Sequence, residues 1–233
     1  MAEENGIASG FVGMFNAFVD PAGLTKRVPA KLFWVGPVIT VTIVFVVVGY
    51  LMSPFTTQLI DAQIALRNPP ADQLERARSM GHMIGKVIMF ATPVVVWLFV
   101  MLFALLSNVM ASMVGLRTKF RDLFSIMAAC SLISSLQYVA TYVVLRSKGD
   151  EITNQEQMTP PFGLDIFVNA HGPLLAILNF FSIFEIWYLV MVALTLAYLS
   201  GSSKGKAFMA ITPAWLVPLL FKIVGSLFQP KAG

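Results

Sequence analysis

Three side chains inside long apolar runs carry enough polarity to do chemistry: Gln137, Glu185 and Lys222. Glu185 lies in NFFSIFEIWYLVMVALTLAYL, residues 179–199, and Lys222 in the last apolar run of the chain. A charge at bilayer depth costs roughly 2.5–3.5 kcal/mol on insertion scales. It must be paired, neutralised or put to use. At about 1.5 Å per helical residue, Gln137 lies about 21 Å past Leu123, Glu185 about 21 Å before Leu199 and Lys222 about 22 Å past Ala207. The short turn SGSSKGK makes the last two runs an antiparallel hairpin, so Glu185 and Lys222 share a depth on neighbouring helices. Three readings follow. Glu185 and Lys222 form an ion pair or charge-assisted hydrogen bond, with Gln137 nearby, as a structural polar layer. Or Glu185 is protonated and bonded to a neighbour such as Ser182, while Lys222 snorkels outward. Or the three residues line a proton or ion path.

Few other residues offer chemistry. The remaining polar residues of the runs, such as Thr92, Ser131, Ser135 and Thr195, are of the kind that bond to backbone or mediate helix packing. No GxxxxGK[ST], HExxH, GxSxG or dinucleotide-binding glycine pattern occurs. The chain has two histidines, His82 and His171, each flanking a run and alone, and a single cysteine, Cys130, among alanines. The sequence therefore gives no catalytic, cofactor-binding or metal-binding residue, and a non-enzyme is expected.

The elements that hold these residues follow from composition. Of 233 residues 57% are hydrophobic and 12% charged, about half the charge of a soluble domain. The fold class is all-α: a polytopic membrane protein with a five-helix transmembrane bundle. The spans run at about 32–52, 86–110, 123–145, 174–199 and 207–228, followed by a tail at 229–233. The uncut apolar lengths exclude an outer-membrane barrel. The net charge of +4 is scattered in small clusters at the ends of the runs, which argues against nucleic-acid binding.

Residues 1–31 form an N-terminal segment. Ile7, Phe11, Met14, Phe15 and Phe18 recur on one helical face, and Lys26, Arg27 and Lys31 follow. This predicts an amphipathic helix at the membrane interface, its apolar face turned either to lipid or to the bundle. The connection Ser53–Gly85 reads as a loop whose second half, NPPADQLERARSM, starts a helix capped by Asn68 that runs into the second span with a kink near Pro93. The stretch Leu164–Phe167 reads as a lid or short re-entrant piece. The 16 Lys and Arg residues divide evenly between the two sides. The short turns on the N-terminal side are almost purely basic, so the expected topology is N-terminus in the cytoplasm and C-terminus outside, in the inner membrane.

The segment NFFSIFEIWYLVMVALTLAYLSGSSKGKAFMAITPAWLV resembles the last two spans of the bacterial branch of the Yip-domain (Ypt/Rab-interacting-protein) family. The shared features are Phe184, Trp187, the turn Ser200–Gly205 and Lys206-Ala207. The aromatic-rich FVGMFNAFVDP and the basic turn GLRTKFRDLF match the family as well. The resemblance covers most of the chain and implies a five-span bundle with a cytoplasmic N-terminus. Relatives in eukaryotes bind small GTPases through a long N-terminal region, whereas here only residues 1–31 precede the first span and no Asp-Leu-Tyr-Gly-Pro motif occurs. GTPase binding is therefore not supported. The expected function is a non-enzymatic scaffold, membrane-shaping factor or partner subunit of a membrane complex, whose partners are the lipid bilayer and another protein or a second copy. The alternative is a small transport component using Gln137, Glu185 and Lys222.

Overall fold

A computed structural model describes residues 6–67, 69–149, 152–168 and 172–227. Asn68, His171 and the tail 229–233 lie outside them. The described residues form eight α-helices and no strand: α1 (Gly6–Val19), α2 (Pro21–Arg27), α3 (Val35–Arg67), α4 (Ala71–Met113), α5 (Phe120–Lys148), α6 (Gly172–Phe180), α7 (Ile183–Ser200) and α8 (Lys204–Leu227). Five of them, α3, α4, α5, α7 and α8, are long and apolar enough to cross a membrane.

Contacts divide the chain into two compact units. Among the described residues, the first comprises 6–41, 97–136, 161–168 and 172–227. Its central helical segment belongs to α5, where Leu123, Ile126, Met127, Cys130 and Ile133 are all buried. Ser131 and Ser135 there donate to the carbonyls of Met127 and Ser131, so neither hydroxyl stays unsatisfied in an apolar setting. α7 packs on α8, α6 on α8 and α2 on α7. The α7–α8 turn is made by Gly201, whose φ of 60° supplies the left-handed helix end that Ser200-Gly201 suggests.

The second unit comprises Thr42–Val96 and Gln137–Pro160. Its core is Val48, Met52, Leu59, Leu145 and Ile152. Here the structure departs from the expected loop at Ser53–Gly85. α3 does not stop at Met52 but continues through Pro54 to Arg67. Its 33 residues span about 50 Å, well over a hydrocarbon core of about 30 Å. The cause is local packing. Gly81 and Gly85 of α4 leave room for Ile60, and a Cβ on Gly81 would lie 2.7 Å from Ile60 Cγ2. Two helices can thus pack closely beyond the apolar runs, which lets α3 continue as a helix. In the run VITVTIVFVVV the β-branched residues stay helical because no water is available to satisfy an unpaired backbone group in lipid. α4 runs unbroken from Ala71 through Pro93 into the second span.

Candidate functional site

The expected fourth span, 174–199, is two helices. α6 ends at Phe180 and α7 begins at Ile183. Ser182, the N-cap of α7, is extended, and its Oγ accepts the Glu185 backbone N–H at 3.1 Å. The sequence SIFE is thus half of a capping box. This local signal lies inside an apolar run that continues on both sides of it, which masks the break. The Ile183 N–H reaches back to the carbonyl of Phe162 at 3.0 Å, which satisfies a second orphan donor of the helix start.

This break relocates Glu185. It is not mid-helix but in the first turn of α7, where the positive end of the helix dipole favours a carboxylate. Its side chain does not bond to Ser182. Instead, Oε2 accepts the indole N–H of Trp215 on α8 at 3.3 Å. Trp215 is buried and packs on Phe180 and Phe181, with ring centroids 4.7 and 5.9 Å away. Lys222, two turns further along α8 on the same face, holds its ammonium 5.6 Å from the centre of the Phe180 ring. Among the described residues no ion pair joins it to Glu185. The direct pair expected from depth is thus replaced by an aromatic bridge. Two residues at one depth met through Phe180 and Trp215 because depth says nothing about helix rotation. Gln137 belongs to the second unit, where its carbonyl accepts from Thr141.

The stretch 161–168 folds against the α6–α7 break. Asp165 Oδ1 accepts the Gly163 N–H at 2.9 Å, and Oδ2 accepts from Asn179 at 3.1 Å. Gly163 approaches so closely that a Cβ there would lie 2.6 Å from the Leu178 carbonyl oxygen. Asp165 is thus an anchor that the sequence showed only as a carboxylate among apolar residues. Beyond it Ile166 and Phe167 point outward, Phe167 being 82% exposed.

The N-terminal helix joins the same unit. Its small-residue face, Ser9, Gly10, Gly13 and Ala17 with Met14, is buried. A Cβ on Gly10 would sit 2.2 Å from the Phe33 carbonyl oxygen, and one on Gly13 would sit 2.4 Å from the Phe33 ring. At the far end the Trp187 indole donates to the Phe18 carbonyl at 2.8 Å, and the two rings lie 5.6 Å apart. The residues read as one apolar face therefore separate. Met14 turns inward, Phe18 meets Trp187, Ile7 is half-buried, and Phe11 and Phe15 face out together with Val12 and Val19.

Elsewhere, His82 bonds to Asp61 at 3.1 Å, and Arg78 approaches the same carboxylate oxygen at 3.8 Å. Among the described residues no group of three or more His, Cys, Asp or Glu side chains could hold a metal ion. The polar groups named in the first unit satisfy helix ends and one another around a broken span.

Fold and site together define a multi-pass helical membrane protein, and the chain belongs to the Yip1 domain family, whose profile matches residues 15–225. This is a membrane protein family rather than a known enzyme family. The chain is 24% identical over 241 aligned positions to the membrane protein YknW of Bacillus subtilis (strain 168), with 99% of this chain and 97% of that protein covered. No solved structure matches.

Proposed function

We propose that this protein is a non-enzymatic scaffold of the inner membrane that shapes the bilayer and seats a partner subunit, with its N-terminus in the cytoplasm and its C-terminus outside. The observation that carries the reading is the clamped N-terminal helix. α1 is fixed to α7 through Trp187 and Phe18, yet presents Phe11, Val12, Phe15 and Val19 outward, the last two 74% and 81% exposed. A helix held rigidly with a free apolar face, beside Lys26 and Lys31, inserts into one leaflet and widens it. A partner or a second copy has room on α4, whose apolar stretch is only 17% buried within the chain.

Reconstitution tests this. Wild-type protein shifts the diameter distribution of extruded anionic vesicles, and Phe15→Ser/Val19→Ser protein of equal helicity leaves it unchanged. Equal remodelling by both would remove the basis of the reading. The alternative, a small transport component using the polar residues of the spans, draws on the interruption at Phe181–Ser182 beside Glu185, since broken helices mark ion sites in carriers. Ion or proton flux into the same vesicles that is lost in Glu185→Gln would replace the scaffold with a transporter.

A further inference from the structure

In the second unit, α3 and α4 enclose a cavity of about 360 Å³ that the reading above does not use. Its polar end is lined by Ser53 and Thr57 of α3 and by His82 and Lys86 of α4, and its apolar end by Tyr50 and Phe90. Ser53 and Thr57 are one turn apart on a single helix face. Neither hydroxyl has a hydrogen-bond partner in the chain among the described residues, whereas the neighbouring Thr56 donates to its own helix at Met52. Gly49 and Gly85 also line the space between the helices.

Charge in the cavity is unevenly matched. Asp61 is held by His82 and Arg78. Lys86 has no carboxylate partner among the described residues, so its ammonium is available at the mouth. One cation and two free hydroxyls are what a phosphate oxygen cluster needs, each able to donate.

Position supplies the rest. The apolar run of α3 ends at Met52 and that of α4 begins after Lys86, so the polar end of the cavity falls at a water boundary. Tyr50 and Phe90 continue it toward the hydrocarbon, with Val46, Val47 and Val94 exposed along the same helices. A free phosphate would fill only the polar end. A ligand with a phosphate head and acyl chains fits both ends.

We infer that the α3–α4 cavity binds the phosphate headgroup of an anionic phospholipid, with Lys86 as the charged contact and Ser53 and Thr57 as hydroxyl donors. This rests on the multi-pass placement of the chain and not on the scaffold reading.

The test uses the full chain in detergent, titrated with phosphatidylglycerol, phosphatidylcholine, soluble glycerol phosphate or inorganic phosphate. Readouts are the thermal midpoint and lipid adducts in native mass spectrometry. Phosphatidylglycerol is expected to raise the midpoint by several degrees beyond phosphatidylcholine and to give a one-lipid adduct. Lys86→Gln should lose at least half of that difference and weaken the adduct about tenfold, while keeping the midpoint seen in phosphatidylcholine. Ser53→Ala/Thr57→Val should reduce it by a smaller margin, and Arg67→Gln, an exposed cation remote from the cavity, should leave it intact. Equal stabilisation by glycerol phosphate or inorganic phosphate would assign the site to a free phosphate and overturn the lipid. A phosphatidylglycerol effect unchanged in both cavity variants would overturn the site. Vesicle remodelling that is equal in wild type and Phe15→Ser/Val19→Ser, with the adduct retained, would count against the scaffold alone.

Discussion

The indole N–H of Trp215 donates to the Glu185 carboxylate at 3.3 Å, tying α8 to the first turn of α7. Trp215→Phe keeps the ring stack on Phe180 and removes the donor, which leaves the carboxylate short of a partner at a cost of about 1–3 kcal/mol. Glu185→Gln keeps an acceptor oxygen and loses mainly the dipole interaction, about 0.3–1 kcal/mol. Thermal unfolding in detergent, followed by helical circular dichroism, is expected to rank the two variants in that order. A double-mutant cycle should show a coupling of about 0.5–3 kcal/mol. Additive effects would mean that the contact carries no energy.

Ser182 starts α7 by accepting the Glu185 N–H. Ser182→Ala is expected to cost about 1 kcal/mol, and Ser182→Thr or Ser182→Asn to restore most of it. Ser182 is fully buried, so a pattern that follows side-chain volume instead of capping ability would assign it to packing.

Composition and run length are enough for five spans, because the bilayer sets a minimum apolar length for every crossing helix. The α7–α8 turn was equally legible, since Ser-Gly at a helix end has one common geometry. What stayed hidden depended on rotation and on close approach. Glu185 and Lys222 share a depth, but their contact runs through Phe180 and Trp215, which a depth count does not see. The extension of α3 past Met52 rests on Gly81 facing Ile60, a relation between residues in different helices. The split of α1 into an inward glycine face and an outward aromatic one has the same origin, since a glycine adds nothing to an apolar pattern yet decides which face another chain segment can touch. The α6–α7 break was the exception: SIFE announced it locally.

Lys222 gives a way to separate charge pairing from ring contact. Its side chain is exposed and its ammonium lies over Phe180. Lys222→Gln is expected to lower stability by no more than about 1 kcal/mol, as for a cation–π contact at an exposed site. Lys222→Glu combined with Glu185→Lys should not rescue either single reversal, because Trp215 cannot donate usefully to an ammonium. Full rescue would restore the direct pair.

Asp165 pins the 161–168 stretch to the helix break through Gly163 and Asn179. Asp165→Ala removes the acceptor for both and leaves the buried Asn179 amide short of one contact. Limited proteolysis should then cut between Pro160 and Phe167 several times faster than in the wild type, with the transmembrane fragments intact. Asp165→Asn keeps one acceptor oxygen and should lie between the two. Unchanged cleavage in Asp165→Ala would show that Gly163 and the Phe162–Phe184 ring contact hold the stretch without it.

The two faces of α1 make opposite predictions. Gly10→Val places a side chain where the Phe33 carbonyl already sits, so α1 must lift from the 31–37 segment. Hydrogen exchange across residues 7–19 should then rise, and Trp187 should lose its bond to Phe18 with a shift in its emission. Phe15→Ser removes an exposed ring that touches the outside only, so the fold and the Trp187 emission should stay as they are. Its effect should appear in lipid: a brominated-acyl lipid should quench a probe attached at Ala8, exposed on the same helix, less than in the wild type. If Gly10→Val left exchange unchanged, α1 would not be docked through its glycines. If Phe15→Ser left quenching unchanged, its outward face would not lie in the bilayer.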